Sequence, residues 1–220
     1  MLWIVIPAKA PPYAKSRLSR ALTDVRRGEL VEAMARRTLL VAREAAPTAN
    51  ILLVSNSHSF RVMARSFGAD AIADRGEGIN QALRDADATL PPGESMLVLP
   101  TDLLSLAAED VAAITHTQAG CAIAPNRERT GTNALFWKRG PRAFCFGNGS
   151  FDAHIEAAAK QKMSVDIINR PGLAFDVDEP DDLELWRCRQ SDPFFAGTSK
   201  YHPGEDSRMS TGAMPTLSML

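Results

Sequence analysis

An aspartate directly after a short apolar run is placed to meet a ligand or hold a metal ion, and S-M-L-V-L-P-T-D at 95–102 has that form. Residues 96–99 are apolar throughout, the length of a strand buried on both faces. Pro100 ends the ladder because it has no N–H to donate, and Asp102 follows. Ligands of open α/β sheets collect outside the carboxyl ends of the strands. Asp102 therefore reads as a metal or substrate residue, or else as a turn or cap before the next helix. Asp176 and Asp178, in F-D-V-D-E-P, form a second acidic pair. On an unbroken strand the two are expected to point to opposite faces, so a bend at Glu179-Pro180 is expected to turn both toward one ion; the alternative is that Asp178 or Asp181 caps the last helix. Asp102, Asp176 and Asp178 together suit Mg²⁺, which takes one or two carboxylates beside water and substrate phosphates.

The opposite charge lies early. Pro7 is followed by A-K-A-P-P-Y-A-K-S-R-L, which gathers Lys9, Lys15 and Arg17 in one loop. Neither G-x-x-x-x-G-K-[ST] nor G-x-G-x-x-G is present. Backbone amides with two or three cations would still suit a triphosphate, although such a loop can equally face solvent. Gly76 and Gly78 mark a tight turn before a helix that includes Asn80. Downstream, G-T-N at 131–133 and F-G-N-G-S-F at 146–151 bring Thr132, Asn133, Gly147 and Ser150. The second motif precedes a helix whose amino end favours an anion, and Thr132 and Ser150 offer hydroxyls to a small phosphorylated acid. Two ordinary turns with Ser150 as N-cap are the alternative. His154 either reaches a substrate carboxylate or is a satisfied structural histidine; His58, His116 and His202 form no cluster with it.

These residues need a scaffold, and the apolar pattern supplies one. Strands are expected at 2–6, 50–54, 69–73, 96–99, 120–124, 134–137, 144–146 and 165–168. Helices are expected at about 24–45, 57–67, 79–89, 107–118, 152–162 and 180–188, with 173–175 running extended into the acidic pair. The alternation implies an α/β fold, a mostly parallel central sheet with helices on both faces. Residues 1–190 read as one domain, and 191–220, rich in Ser, Thr, Gly and Pro, as a flexible tail or an arm for a homodimer contact. The arginine pairs Arg26/Arg27 and Arg36/Arg37 are expected largely on the wet face of the first helix. A formal charge of −1 gives no field for nucleic acid or membrane. Three widely spaced cysteines read as reduced thiols of a cytoplasmic protein.

Taken in order, P-A-K…A-K-S-R-L, D-R-G-E-G-I-N-Q-A-L, L-P-T-D-L, G-T-N-A-L, F-G-N-G-S-F-x-x-H and D-V-D-E-P-D-D-L resemble the phospholactate guanylyltransferases of coenzyme F420 biosynthesis (the CofC/FbiD family). The resemblance covers about residues 2–189. It implies a Rossmann-like three-layer α/β/α sandwich of the nucleotide-diphospho-sugar transferase type. It also implies transfer of GMP from GTP to a small phospho-acid, with a hand-over of product to the next pathway enzyme. The acid would be 2-phospho-L-lactate, phosphoenolpyruvate or 3-phospho-D-glycerate. By this resemblance Asp102, Asp176 and Asp178 hold Mg²⁺, Thr132, Gly147 and Ser150 shape the acid loop, and Lys9, Lys15 and Arg17 face the triphosphate. The turn from Gly76 to Asn80 would line the guanosine site. Leu104 replaces a proline frequent in the family, and Asn126 stands where an acidic residue is common. These departures near the acid pocket favour 3-phospho-D-glycerate. The alternatives are a pterin- or sugar-phosphate-type nucleotidyltransferase, expected to carry a glycine-rich first loop, and a non-catalytic nucleotide-binding scaffold, marked by loss of the acidic set.

Overall fold

Strands with unbroken apolar runs occupy the middle of the sheet, and shorter, wetter ones its edges. A computed structural model describes residues 1–10 and 14–191. β1 (Leu2–Pro7) has Ile4, Val5 and Ile6 fully buried. β2 (Asn50–Ser55) and β4 (Ser95–Val98) flank it in parallel, and β3 (Asp70–Ala73) forms the edge beyond β2. The seven-stranded order is β3-β2-β1-β4-β6-β5-β7, completed by β5 (Cys121–Pro125), β6 (Thr132–Trp137) and β7 (Val165–Ile167).

One strand runs backwards. β6 is antiparallel to both β4 and β5, while the remaining pairings are parallel. The connection 126–131 is too short for a crossover helix, so the chain returns as a hairpin. That reversal brings the start of β6 to the edge where β4 ends, because Val98 faces Leu135 and Met96 faces Trp137.

Two helical layers cover the sheet. α1 (Asp24–Ala45), α2 (His58–Ser66) and α4 (Ala108–Thr115) pack against the side chains of Ile4 and Ile6. α3 (Ile79–Thr89) and α5 (Ser150–Lys160) pack on the face carrying Val5 and Trp137. The three-layer α/β/α sandwich expected from the sequence is present. A smaller apolar cluster joins Met34 of α1 to Leu104, Phe175, Val177, Leu183 and Trp186, seating α7 (Pro180–Ser191) and the segment before it.

Three expectations change. Residues 144–146 form no strand: Cys145 N–H donates to His154 Nε2 and Phe146 N–H to Asn80 Oδ1, so side chains satisfy this backbone in place of a ladder. Residues 171–174 are a helical turn, α6 (Pro171–Ala174), opened by Pro171 at its first position. Arg27 and Arg37 are buried, not wet; Arg37 lies on the stripe of Met34 and Val41 and donates to the carbonyls of Leu104 and Leu106 at 3.0 and 2.6 Å. The expected tail lies, from residue 192 on, outside the described residues. Among the described residues no helix is long and apolar enough to cross a membrane.

Candidate active site

Main-chain hydrogen bonding brings the acidic residues together. The N–H groups of Val177 and Leu104 both donate to the carbonyl of Asp102, each at 3.1 Å. Phe175 and Val177 are buried in the small cluster, so Asp176 and Asp178, alternating with them, emerge on the other side. Alternation alone aligns the pair; the bend at Glu179-Pro180 is not needed for it. The expected capping by Asp178 or Asp181 falls to Asp182, which accepts from the N–H groups of Asp178 and Glu179 at 3.1 and 2.9 Å. Burial pushes the Asp182 carboxyl up, but those two N–H groups and Arg127, 2.7 Å away, outweigh it and hold it below the usual range. Asp178 is thereby left to face the cleft.

Lys15 spans the acidic residues. Its Nζ donates to Asp102 Oδ2 at 2.8 Å and also to Asp178 Oδ1, partners 87 and 163 residues away in sequence. The backbone of Lys15 is left-handed (φ 52°), a conformation uncommon outside glycine, at the entry to a 3₁₀ turn, Ser16–Arg20. Burial disfavours the ammonium, yet the charges of Asp102 and Asp178 more than offset this and raise its pKa above the ordinary lysine value. Asp176 lies outside that pairing. Asn133 Nδ2 holds its Oδ1 at 3.1 Å and also donates to the carbonyl of Leu173 at 2.9 Å. Burial, then the negative charge of Asp102, pushes the Asp176 carboxyl up.

The donor chemistry of this set fits Mg²⁺. Asp102, Asp176 and Asp178 offer hard oxygens, and a divalent cation would relieve the repulsion between Asp102 and Asp176. As they stand, no three His, Cys, Asp or Glu side chains among the described residues are grouped to close around one ion. Lys15 supplies the positive charge between Asp102 and Asp178.

A cleft of about 560 Å³ opens across the carboxyl ends of the first four strands. Of the expected residues, Pro7, Lys9, Lys15, Arg17, Gly76, Gly78, Asp102 and Asp178 line it. Asn56, Asp74 and Thr101 also line it and were not anticipated. Arg17 is exposed and pairs with Glu179 at 3.2 Å. Asn80 is not on the wall: its amide bonds the N–H and carbonyl of Phe146 at 2.8 and 2.9 Å, tying the start of α3 to the loop at 146.

The other expected set lies around β6 and α5, with Thr132, Asn133, Ser150 and His154 buried and apart from the residues that line the cleft. Thr132 N–H donates to Ser150 Oγ at 2.9 Å, and the Thr132 hydroxyl meets His154 Nδ1 at 2.9 Å. Cys145 N–H donates to His154 Nε2 at 2.9 Å, so this nitrogen is unprotonated and the ring proton is assigned to Nδ1. His154 is completely buried, and burial lowers its pKa to about 4. With both nitrogens taken, His154 does not reach a substrate carboxylate; it fastens the 145 loop and β6 to α5. Gly147 (φ 136°) and Gly149 (φ 70°) shape the loop before α5, which opens without a side-chain cap. Asn126 Oδ1 accepts from the N–H groups of Thr130 and Gly131 at 3.0 and 2.9 Å, building the 126–131 turn.

The chain is similar to known proteins in sequence and in fold. The family profile described as "Guanylyl transferase CofC like" matches residues 2–187. The chain is 37% identical over 188 residues to the phosphoenolpyruvate guanylyltransferase of Rubrobacter xylanophilus, covering 83% of this chain and 91% of that protein. It is 31% identical to the 3-phospho-D-glycerate guanylyltransferase of Colwellia psychrerythraea, covering 83% and 89%. In three dimensions it is similar to a nucleotidyl transferase from Methanothermobacter, with a TM-score of 0.60, 12% identity and coverage of 90% and 99%. A structure from Desulfovibrio desulfuricans G20, provisionally described as a nucleotide-diphospho-sugar transferase, gives a TM-score of 0.66 at 13% identity with 94% of both chains covered. At these identities the two structures speak for the fold alone. The sequence match over nearly the whole described chain goes further: this protein belongs to the CofC-like guanylyl transferase family.

Proposed function

We propose that the chain transfers GMP from GTP to the phosphate of a small phosphorylated acid, releasing pyrophosphate, as a step of coenzyme F420 biosynthesis. The observation that carries this reading is the convergence of Lys15 with Asp102 and Asp178 at one end of the cleft. An acceptor phosphate oxygen attacks the α-phosphorus in line; the new P–O bond forms as the bond to the bridging oxygen breaks, and pyrophosphate leaves. The acceptor is already ionised at neutral pH, so no general base is needed. Anion repulsion and orientation dominate the barrier, and these are what fixed charges and a shaped cleft address. Lys9, Lys15 and Arg17 supply positive charge to the triphosphate and the departing pyrophosphate. Asn133 keeps Asp176 oriented, and the exposed loop at Gly147, fastened through the buried pair Thr132 and Ser150, would frame the acid. Asp102, Asp176 and Asp178 would hold Mg²⁺, which would supply further charge neutralisation among the phosphate oxygens.

Phosphoenolpyruvate is the first acid to test. Relatives named for it reach 37% identity, against 31% for the one named for 3-phospho-D-glycerate and 32% for one named for 2-phospho-L-lactate. This moves the choice away from the 3-phospho-D-glycerate favoured by the sequence departures. The test is to offer purified protein GTP or ATP with each of the three acids, measuring pyrophosphate and product mass. One pyrophosphate per GMP–acid adduct is expected with GTP. Absence of an adduct with every pair would contradict the proposal.

A further inference from the structure

The cleft has two chemically different ends. Its floor follows the strand order β3-β2-β1-β4, so it spans three interstrand steps, roughly 14 Å. Lys9, Lys15, Asp102 and Asp178 lie where β1 and β4 end. A nucleoside triphosphate that places its phosphates there extends its base toward β2 and β3. At that end the wall includes Val54, Asn56, Asp74, Gly76, Gly78 and Ala82, and Asp74 is the one carboxylate there.

Asp74 is held in place on both sides. Its N–H donates to the carbonyl of Ser55 at 3.2 Å, anchoring it to the end of β2. Its Oδ1 accepts from Gly76 N–H at 2.8 Å, which restrains the carboxylate. Oδ2 has no hydrogen-bond partner among the described residues. Half-buried Asp74 thus presents a fixed acceptor to the base end of the cleft. Guanine carries two adjacent kinds of donor on one edge, N1–H and the 2-amino group, which a carboxylate can accept together. Adenine places an acceptor at N1, so its approach sets lone pair against lone pair.

Resting on the guanylyl reading above, we infer that Asp74 selects the base, accepting hydrogen bonds from N1–H and the 2-amino group of guanine. The bland role, a turn in which Asp74 only bonds Gly76, makes a different prediction. An asparagine keeps that turn through its amide oxygen but presents an NH₂ that can donate to a 2-oxo group. Xanthine carries that oxygen in place of the 2-amino group.

The test uses the full-length protein with Mg²⁺ and titrates GTP, ITP, XTP and ATP by calorimetry. In the unaltered protein GTP is expected to bind roughly tenfold to a hundredfold more tightly than ITP, which lacks the 2-amino group. In Asp74→Asn, GTP affinity is expected to fall by a similar factor while XTP affinity rises, a gain that a damaged fold cannot produce. Equal binding of GTP and ITP by the unaltered protein would overturn the assignment without any variant. A preference for GTP over ATP that survives in Asp74→Asn, with no gain for XTP, would overturn it while leaving the guanylyl reading intact. No preference for GTP over ATP in the unaltered protein would overturn both.

Discussion

Lys15 makes the acidic residues compatible with one another before any ligand arrives. Two of the three carboxylates share its ammonium, while Asp176 leans on Asn133 and feels the charge of Asp102. Removing a charge from this set while keeping its shape separates electrostatics from folding. Asp102→Asn is expected to reduce turnover by roughly 10²-fold, the scale found when one electrostatic stabiliser is removed. Steady-state pyrophosphate release checks this, and a rate near that of the unaltered protein would remove Asp102 from the chemistry. The same substitution leaves Lys15 paired with Asp178, so the thermal midpoint should change far less than the rate.

At the scale of elements, buried polar groups fasten the loops that frame the cleft. His154 is fully buried with a pKa near 4, below the ordinary value of 6.5. A histidine depressed in this way is protonated first in the unfolded chain, so stability falls as pH drops from about 6.5 toward 4 and is fully present above that window. The loss amounts to roughly 3 kcal/mol. Denaturant titrations at pH 7 and pH 4.5 should show it, and His154→Gln should remove much of the difference; an unchanged difference would assign the pH response to other groups. A second contact is steric. A Cβ on Gly172 would stand 1.9 Å from Asp110 Oδ2, the carboxylate that receives Ala107 N–H at the start of α4. Gly172→Ala should therefore destabilise by about 1–3 kcal/mol, read as a lower denaturant midpoint. These tethers were hardly legible in the sequence. His154, Asn80 and Ser150 had the right types for ligand contacts, but their partners lie in other elements and only the folded chain shows them taken. Asp182 was missed as a cap although it stands three residues after Glu179, a spacing that suits one. Arg37 was missed because a charged residue on a helix suggests solvent, whereas carbonyls 67 and 69 residues away receive it.

For the whole molecule, the features that could be read were those encoded locally. The unbroken runs of β1, β2 and β4 place them centrally, Thr23 starts α1, and β-α alternation leads to the layered sandwich. The reversal of β6 was less visible, because it follows from the length of one connection and not from the composition of the strand. Its consequence is large: reversal brings Asn133 beside Asp176 and Thr132 beside the loop at 150. The proposed reaction joins two anions, for which the cleft and the loop at 147 are the sites to test.

The phosphates of GTP are expected at the Lys15 end of the cleft, beside a cation held by Asp102, Asp176 and Asp178. Diffraction from a crystal soaked with Mn²⁺ and a non-hydrolysable GTP analogue tests this most directly, since the anomalous signal of manganese locates the ion independently of the nucleotide. The expected result is a manganese peak in coordinating contact with Asp102 and at least one of Asp176 and Asp178, with the triphosphate facing Lys9 and Lys15. A peak remote from these carboxylates, or a nucleotide lying with its phosphates toward Asp74, would rule out this arrangement of metal and nucleotide.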